Sequence, residues 1–191
     1  MSTSPQLKSI QTVLRDKGQE TAKDFFAKMV PGKQKIYGVK TPELNALAKQ
    51  YKEYGFDLAE ELWAAGALEE KIVAVKIVEK MGKKDPARLL KLVQQFAKSI
   101  DNWAVCDAVG MQSLRSIVKT HREEIFALAA KYNRSRDPWQ RRLSLVMVEW
   151  YTRNPSNHAD IKKLMTPLEK DDEYYVKKAV EWIKRNLVKG K

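Results

Sequence analysis

The chain carries one cysteine, Cys106, among 191 residues. A single thiol excludes an intrachain disulfide framework and any cysteine-rich zinc or iron–sulfur centre. His121 and His158 stand apart without ligand spacing, so no metal is expected. A glycine-rich phosphate loop, a dinucleotide fingerprint, a G-x-S-x-G elbow and an H-E-x-x-H pair are all missing, which leaves phosphoryl transfer, hydride transfer, serine hydrolysis and zinc proteolysis without support. No cofactor is expected. No apolar run approaches a membrane span, and the opening MSTSPQLKSIQ lacks the apolar core of a signal peptide. The expectation is a soluble, cytoplasmic protein with no membrane partner.

Strand-like alternation is missing too, and helical periodicity runs almost throughout. Gly, Pro, Asn and Asp punctuate it into short helices at 5–17, 20–30, 42–54, 57–65, 68–82, 86–98, 102–120, 122–132, 138–153, 157–169 and 172–188. Three starts are well marked: TPEL, with Thr41 as N-cap and Pro42 at the first helical position, then DPAR at Asp85 and DPWQ at Asp137. Their recurrence at intervals of roughly forty to fifty residues suits HEAT-type helix pairs, so the reading is all-α, one domain over 1–191, a solenoid in preference to a compact bundle. The longer connection VPGKQKIYGVK, residues 30–40, is basic and holds two glycines. It reads either as a surface loop or as a backbone segment that approaches a phosphate.

What the chain has in excess is positive charge: 36 Lys and Arg against 24 Asp and Glu, a net +12. Residues 131–191 alone hold 15 basic and 8 acidic side chains. A polyanion is the expected partner, nucleic acid first, and this end is its expected surface.

Within 102–120, Trp103, Asp107, Leu114 and Val118 share a helix face. Asp107 lies beyond the first turn, where a carboxylate would serve as a cap, and Asp101 is the natural N-cap. A carboxylate on an inward face must be paired, neutralised or used. Arg142, on the flank of the stripe Trp139, Leu143, Val146 and Trp150, is the obvious partner, while Arg141 points the other way. The pair reads either as a structural bridge between repeats or as part of an active site. Trp103, one turn before Asp107, is either core or an aromatic wall beside an anion that receives a cation. In the last helix Val176, Ala179, Val180, Ile183 and Leu187 make the packing stripe, and Tyr175 and Trp182 lie off it among Lys178 and Arg185. They either lie flat on a neighbouring helix or stack on nucleotides while the cations hold phosphates.

Taken together, YGVKTPELNALAK, DNWAVCD, WQRR and DEYYVKKAVEWIKRN, in this order along nearly the whole chain, resemble the bacterial DNA alkylation repair proteins, the AlkD-like alkylpurine DNA glycosylases with HEAT-like repeats. The resemblance implies a curved, right-handed α-solenoid whose concave, basic face cradles duplex DNA. It implies excision of purines alkylated at N3 or N7 without flipping the nucleotide, unlike most glycosylases. The family's catalytic aspartate falls on Asp107, its lesion-flanking tryptophans on Trp103 and Trp182, and its DNA-contacting arginine on Arg142. Lys40, Arg141, Tyr175, Lys178 and Arg185 complete the expected DNA contacts, and a monomer suffices.

The chain departs from the family pattern at Met29, where a tyrosine is frequent, and at Ala104, where an acidic residue is common. A non-catalytic relative that binds bent or branched DNA is the alternative, and a scaffold for an acidic protein is a third reading.

Overall fold

In a computed structural model that describes residues 3–189, every regular element among the described residues is helical, as a helical-repeat protein requires. Residues 1, 2, 190 and 191, the ends of the expected 1–191 domain, lie outside the described residues. The chain divides into two compact units, Met1–Leu92 and Val93–Lys191.

The first unit begins with α1 (Pro5–Lys17), where Ser4 accepts a hydrogen bond from the Leu7 amide at 3.2 Å and Pro5 presets the first turn. Leu7, Ile10 and Leu14 form its buried stripe. Then come α2 (Glu20–Met29), α3 (Thr41–Tyr51), α4 (Gly55–Ala65) and α5 (Leu68–Met81). α5 is the hub, packed on both α3 and α4, with Val73, Ala74, Val75, Ile77 and Val78 wholly buried. Truncating Ile77 to alanine would cost about 2–5 kcal/mol. Lys40, not Thr41, occupies the N-cap of α3, and no side chain caps it.

Glu69 and Glu70, both buried in the first turn of α5, explain the 30–40 connection. The Glu69 carboxylate accepts the backbone amides of Tyr37, Gly38 and Val39 at 3.0, 2.7 and 3.2 Å. Glu70 accepts from the Tyr37 hydroxyl at 2.9 Å, the Gln11 side-chain amide at 3.0 Å and the Ala67 amide at 2.8 Å. Gly38, at φ +81°, is required: a Cβ there would stand 2.4 Å from the Gln19 carbonyl oxygen. The stretch 37–39 is therefore a buried strap, and its amides are spent on a carboxylate of the protein itself.

The boundary between the units falls within α6 (Pro86–Phe96). The second unit continues with α7 (Trp103–Asp107), α8 (Arg122–Asn133), α9 (Pro138–Val146), α10 (His158–Met165) and α11 (Tyr174–Lys189). Its hub is α9, which packs against α7, α8, α10 and α11 and buries Leu143, Leu145 and Val146 completely. Asp137 caps α9 through the Trp139 amide at 2.9 Å. The helix expected over 138–153 is shorter. After Val146 the hydrogen bonds tighten, Val148 reaching back three residues to Leu145, and Glu149–Arg153 forms a 3₁₀ turn.

Candidate active site

Asn102 opens α7. Its side-chain oxygen accepts from the Val105 amide at 2.9 Å, and its own amide group donates to the Asp101 carboxylate at 2.9 Å. The cap thus sits one residue later than expected, with Asp101 orienting it. α7 lasts five residues and ends at Asp107, where the backbone leaves the α-helical step. The Ser113 amide reaches back five residues to the Ala108 carbonyl, making a π turn over Ala108–Gln112 that periodicity did not foresee. Gly110 lets this turn lie against α9: a Cβ there would come 2.5 Å from Val146 Cγ1 and 3.2 Å from Leu143 Cδ1.

That close approach delivers Arg142 to Asp107. Nε donates to Oδ1 at 3.0 Å, and Nη2 donates to Oδ1 at 2.8 Å and Oδ2 at 2.9 Å. Nη1 donates to the Tyr175 carbonyl at 2.7 Å, so α11 joins the same fork. The Tyr175 ring stacks on Trp139, with centroids 5.1 Å apart and planes at 29°. The Trp139 carbonyl in turn accepts from the Cys106 thiol at 3.7 Å. Cys106, Trp139, Tyr175, Arg142 and Asp107 form a closed circuit that locks three helices together.

The Arg142 side chain is only 7% exposed, whereas Asp107 keeps 26%. Burial pushes the Asp107 carboxyl above the ordinary aspartate range, and the charge and hydrogen bonds of Arg142 pull it back without cancelling that effect. Burial also pushes the Cys106 thiol well up, with the Asp107 charge adding to it, so this sulfur is a protonated packing atom and not a nucleophile. The chemistry available here is that of one oriented, partly exposed anion, suited to stabilising positive charge.

The other expected residues fall in distinct places. Trp103, the first residue of α7, and Trp182 on α11 are both half-buried. Tyr175 has its ring on Trp139 and its carbonyl on Arg142, while its exposed neighbour Tyr174 meets it edge-on at 5.0 Å. Lys178 is exposed, its ammonium 5.3 Å over the Tyr174 ring, and Arg185 is exposed further along α11. Arg141 is engaged with Asp171 at 2.6 and 3.2 Å and with the carbonyls of Ser135 and Arg136 at 3.1 and 3.0 Å. Lys40 is exposed in the first unit, at the end of the 37–39 strap. Met29 ends α2 and is exposed, and Ala104 is half-buried in α7.

Sequence reasoning placed Trp139 in the packing stripe and did not see its stack with Tyr175. A tryptophan one position after the DP cap was the available signal. Among the described residues, no helix is long and apolar enough to cross a membrane. No curated protein matches the chain. A family model, that of the DNA alkylation repair enzymes, matches residues 10–190, and the chain therefore belongs to that family.

Proposed function

We propose that, within the repair of alkylated DNA to which its family belongs, this protein is a monofunctional DNA glycosylase that removes purines alkylated at N3 or N7 from double-stranded DNA. The observation that carries this reading is the Asp107 carboxylate, gripped by a buried Arg142 while its own side chain keeps 26% exposure. A structural ion pair has no need of that exposure.

An N3- or N7-alkylated purine already bears positive charge. When the bond from C1′ to the ring nitrogen breaks, the bonding electrons leave with the base, which departs neutral and needs no general acid. The charge passes to the sugar as an oxocarbenium-like centre. A water adds at C1′ and gives up a proton, leaving an abasic sugar. Asp107 stabilises the sugar cation and orients the water. Trp103 and Trp182 flank the cationic lesion with their rings. Because departure requires no protonating pocket, the nucleotide stays unflipped.

All three guanidinium nitrogens of Arg142 are engaged with Asp107 or Tyr175, so its role is to hold the carboxylate in place. Lys178 and Arg185 on α11 and Lys40 in the first unit are exposed cations suited to backbone phosphates. Arg141 meets DNA only if its Asp171 fork opens. A monomer acting in the cytoplasm suffices for this activity.

The test is to incubate the protein with methylated duplex DNA and follow released 7-methylguanine together with new abasic sites. Both appear in equal amounts on this reading. Tight, strongly salt-dependent binding with no released base would favour the non-catalytic DNA binder.

A further inference from the structure

The π turn after Asp107 creates an accounting problem. The Ser113 amide serves the Ala108 carbonyl, five residues back, and the Ile117 amide serves the Leu114 carbonyl, three residues back. Between these two bonds lie the five carbonyls of 109–113 but only the three amides of 114–116, so two carbonyls are left over. Two side chains supply donors there. The Ser113 hydroxyl donates to the Val109 carbonyl, and the Trp150 indole N–H donates to the Met111 carbonyl at 2.9 Å. Ser113 is wholly buried, and Gly110 keeps the same turn in contact with α9. Trp150 is itself held, with the Arg153 guanidinium 4.5 Å and that of Arg115 5.7 Å from its ring.

We propose that Trp150 and Ser113 are positioning residues for Asp107. They replace the amide donors lost where the π turn gives way to 3₁₀ geometry, and so hold the turn in the register that brings the carboxylate onto the Arg142 fork. Asp107 is the last residue before the turn, so a slackened turn moves it first. The inference rests on the glycosylase reading only for its effect on excision. Its effect on the Asp107 carboxyl is independent of that reading.

The charged group that meets Asp107 from α9 is Arg142; α11 reaches it through the Tyr175 carbonyl on that same guanidinium, and on its own helix the neighbour is the protonated Cys106 thiol. Loosening the fork weakens the one influence that pulls the carboxyl down. The Asp107 titration then moves up.

The experiment compares the full-length protein with Trp150→Phe, which keeps the ring and removes the donor, and with Ser113→Ala. The Asp107 carboxyl is titrated by ¹³C NMR without DNA, and excision is followed over pH in single turnover. Both variants are expected to titrate at higher pH than the parent, to shift the acid limb of excision the same way, and to lose about 10- to 100-fold in rate at neutral pH. Duplex affinity is expected to change less than about twofold, since no phosphate contact is removed. Folded variants with reduced thermal stability but an unmoved Asp107 titration would overturn the proposal. If the parent excises nothing, the glycosylase reading fails while the titration still decides the positioning claim. Should Trp150→Phe not fold, Ser113→Ala decides it alone.

Discussion

Arg142 holds Asp107 through two nitrogens, Nε at 3.0 Å and Nη2 at 2.8 and 2.9 Å, while its third nitrogen reaches the Tyr175 carbonyl at 2.7 Å. One guanidinium therefore sets the carboxylate of α7 against the backbone of α11. A lysine ammonium is a point charge and cannot make both contacts with a planar fork.

Arg142→Lys is accordingly expected to be damaging. Weakening the pull on Asp107 raises its carboxyl further, so the acid limb of excision moves to higher pH, and the looser carboxylate costs about 10- to 100-fold in rate. Arg142→Ala, which strands a largely buried anion, is expected to cost about 3 kcal/mol in urea unfolding. An unchanged pH profile for the lysine variant would contradict the assigned role.

The parent protein's own pH profile carries a sign. Burial raises the Asp107 carboxyl, and its ionised form does the work, so excision is expected to fall off at a pH above the ordinary aspartate value of about 4. Single-turnover rates between pH 4 and 8 on a defined methylated duplex check this, with DNA kept saturating so that binding does not enter.

Arg141 and Asp171 make the opposite case. Burial acts to raise the Asp171 carboxyl, but its bonds to Arg141 and to the Glu173 amide outweigh it and leave the carboxyl lowered. A depressed carboxylate contributes stability that is present above its unfolded value of about 4 and is lost as pH falls through the lower folded value. Asp171→Asn should therefore destabilise the protein by about 2 kcal/mol at pH 7, and the difference should shrink in acid. Urea midpoints at pH 7 and pH 3 measure it.

Glu69→Gln tests the strap of the first unit. The carboxylate accepts three amides, and a carboxamide turns an N–H₂ group toward donors in its place. A loss of about 2–4 kcal/mol is expected, with faster hydrogen exchange at Tyr37, Gly38 and Val39. Protection that stays at the parent level would rule out the strap's dependence on Glu69.

Much of this was legible in the sequence because helices announce themselves locally. The start and end expected for α1, 5 and 17, agree with Pro5–Lys17, and the DPWQ cap forms as read. The pairing of Asp107 with Arg142 followed from one charge on an inward stripe and one arginine on the flank of another. What escaped was set by tertiary contact. The π turn depends on Gly110 meeting Val146, the capture of the Tyr37–Val39 amides depends on a carboxylate some thirty residues away, and the Tyr175 stack depends on α9 and α11 being neighbours. Hydrophobic period carries no information about which backbone amide a distant glutamate will meet.

The central claim is most directly tested by single-turnover release of 7-methylguanine from a duplex with one N7-methylguanine, comparing the parent with Asp107→Asn at saturating protein. Asparagine keeps the shape and removes the charge, so the account predicts a rate reduced by about 10²- to 10³-fold with duplex affinity little changed. Release by Asp107→Asn at the parent's rate would contradict it.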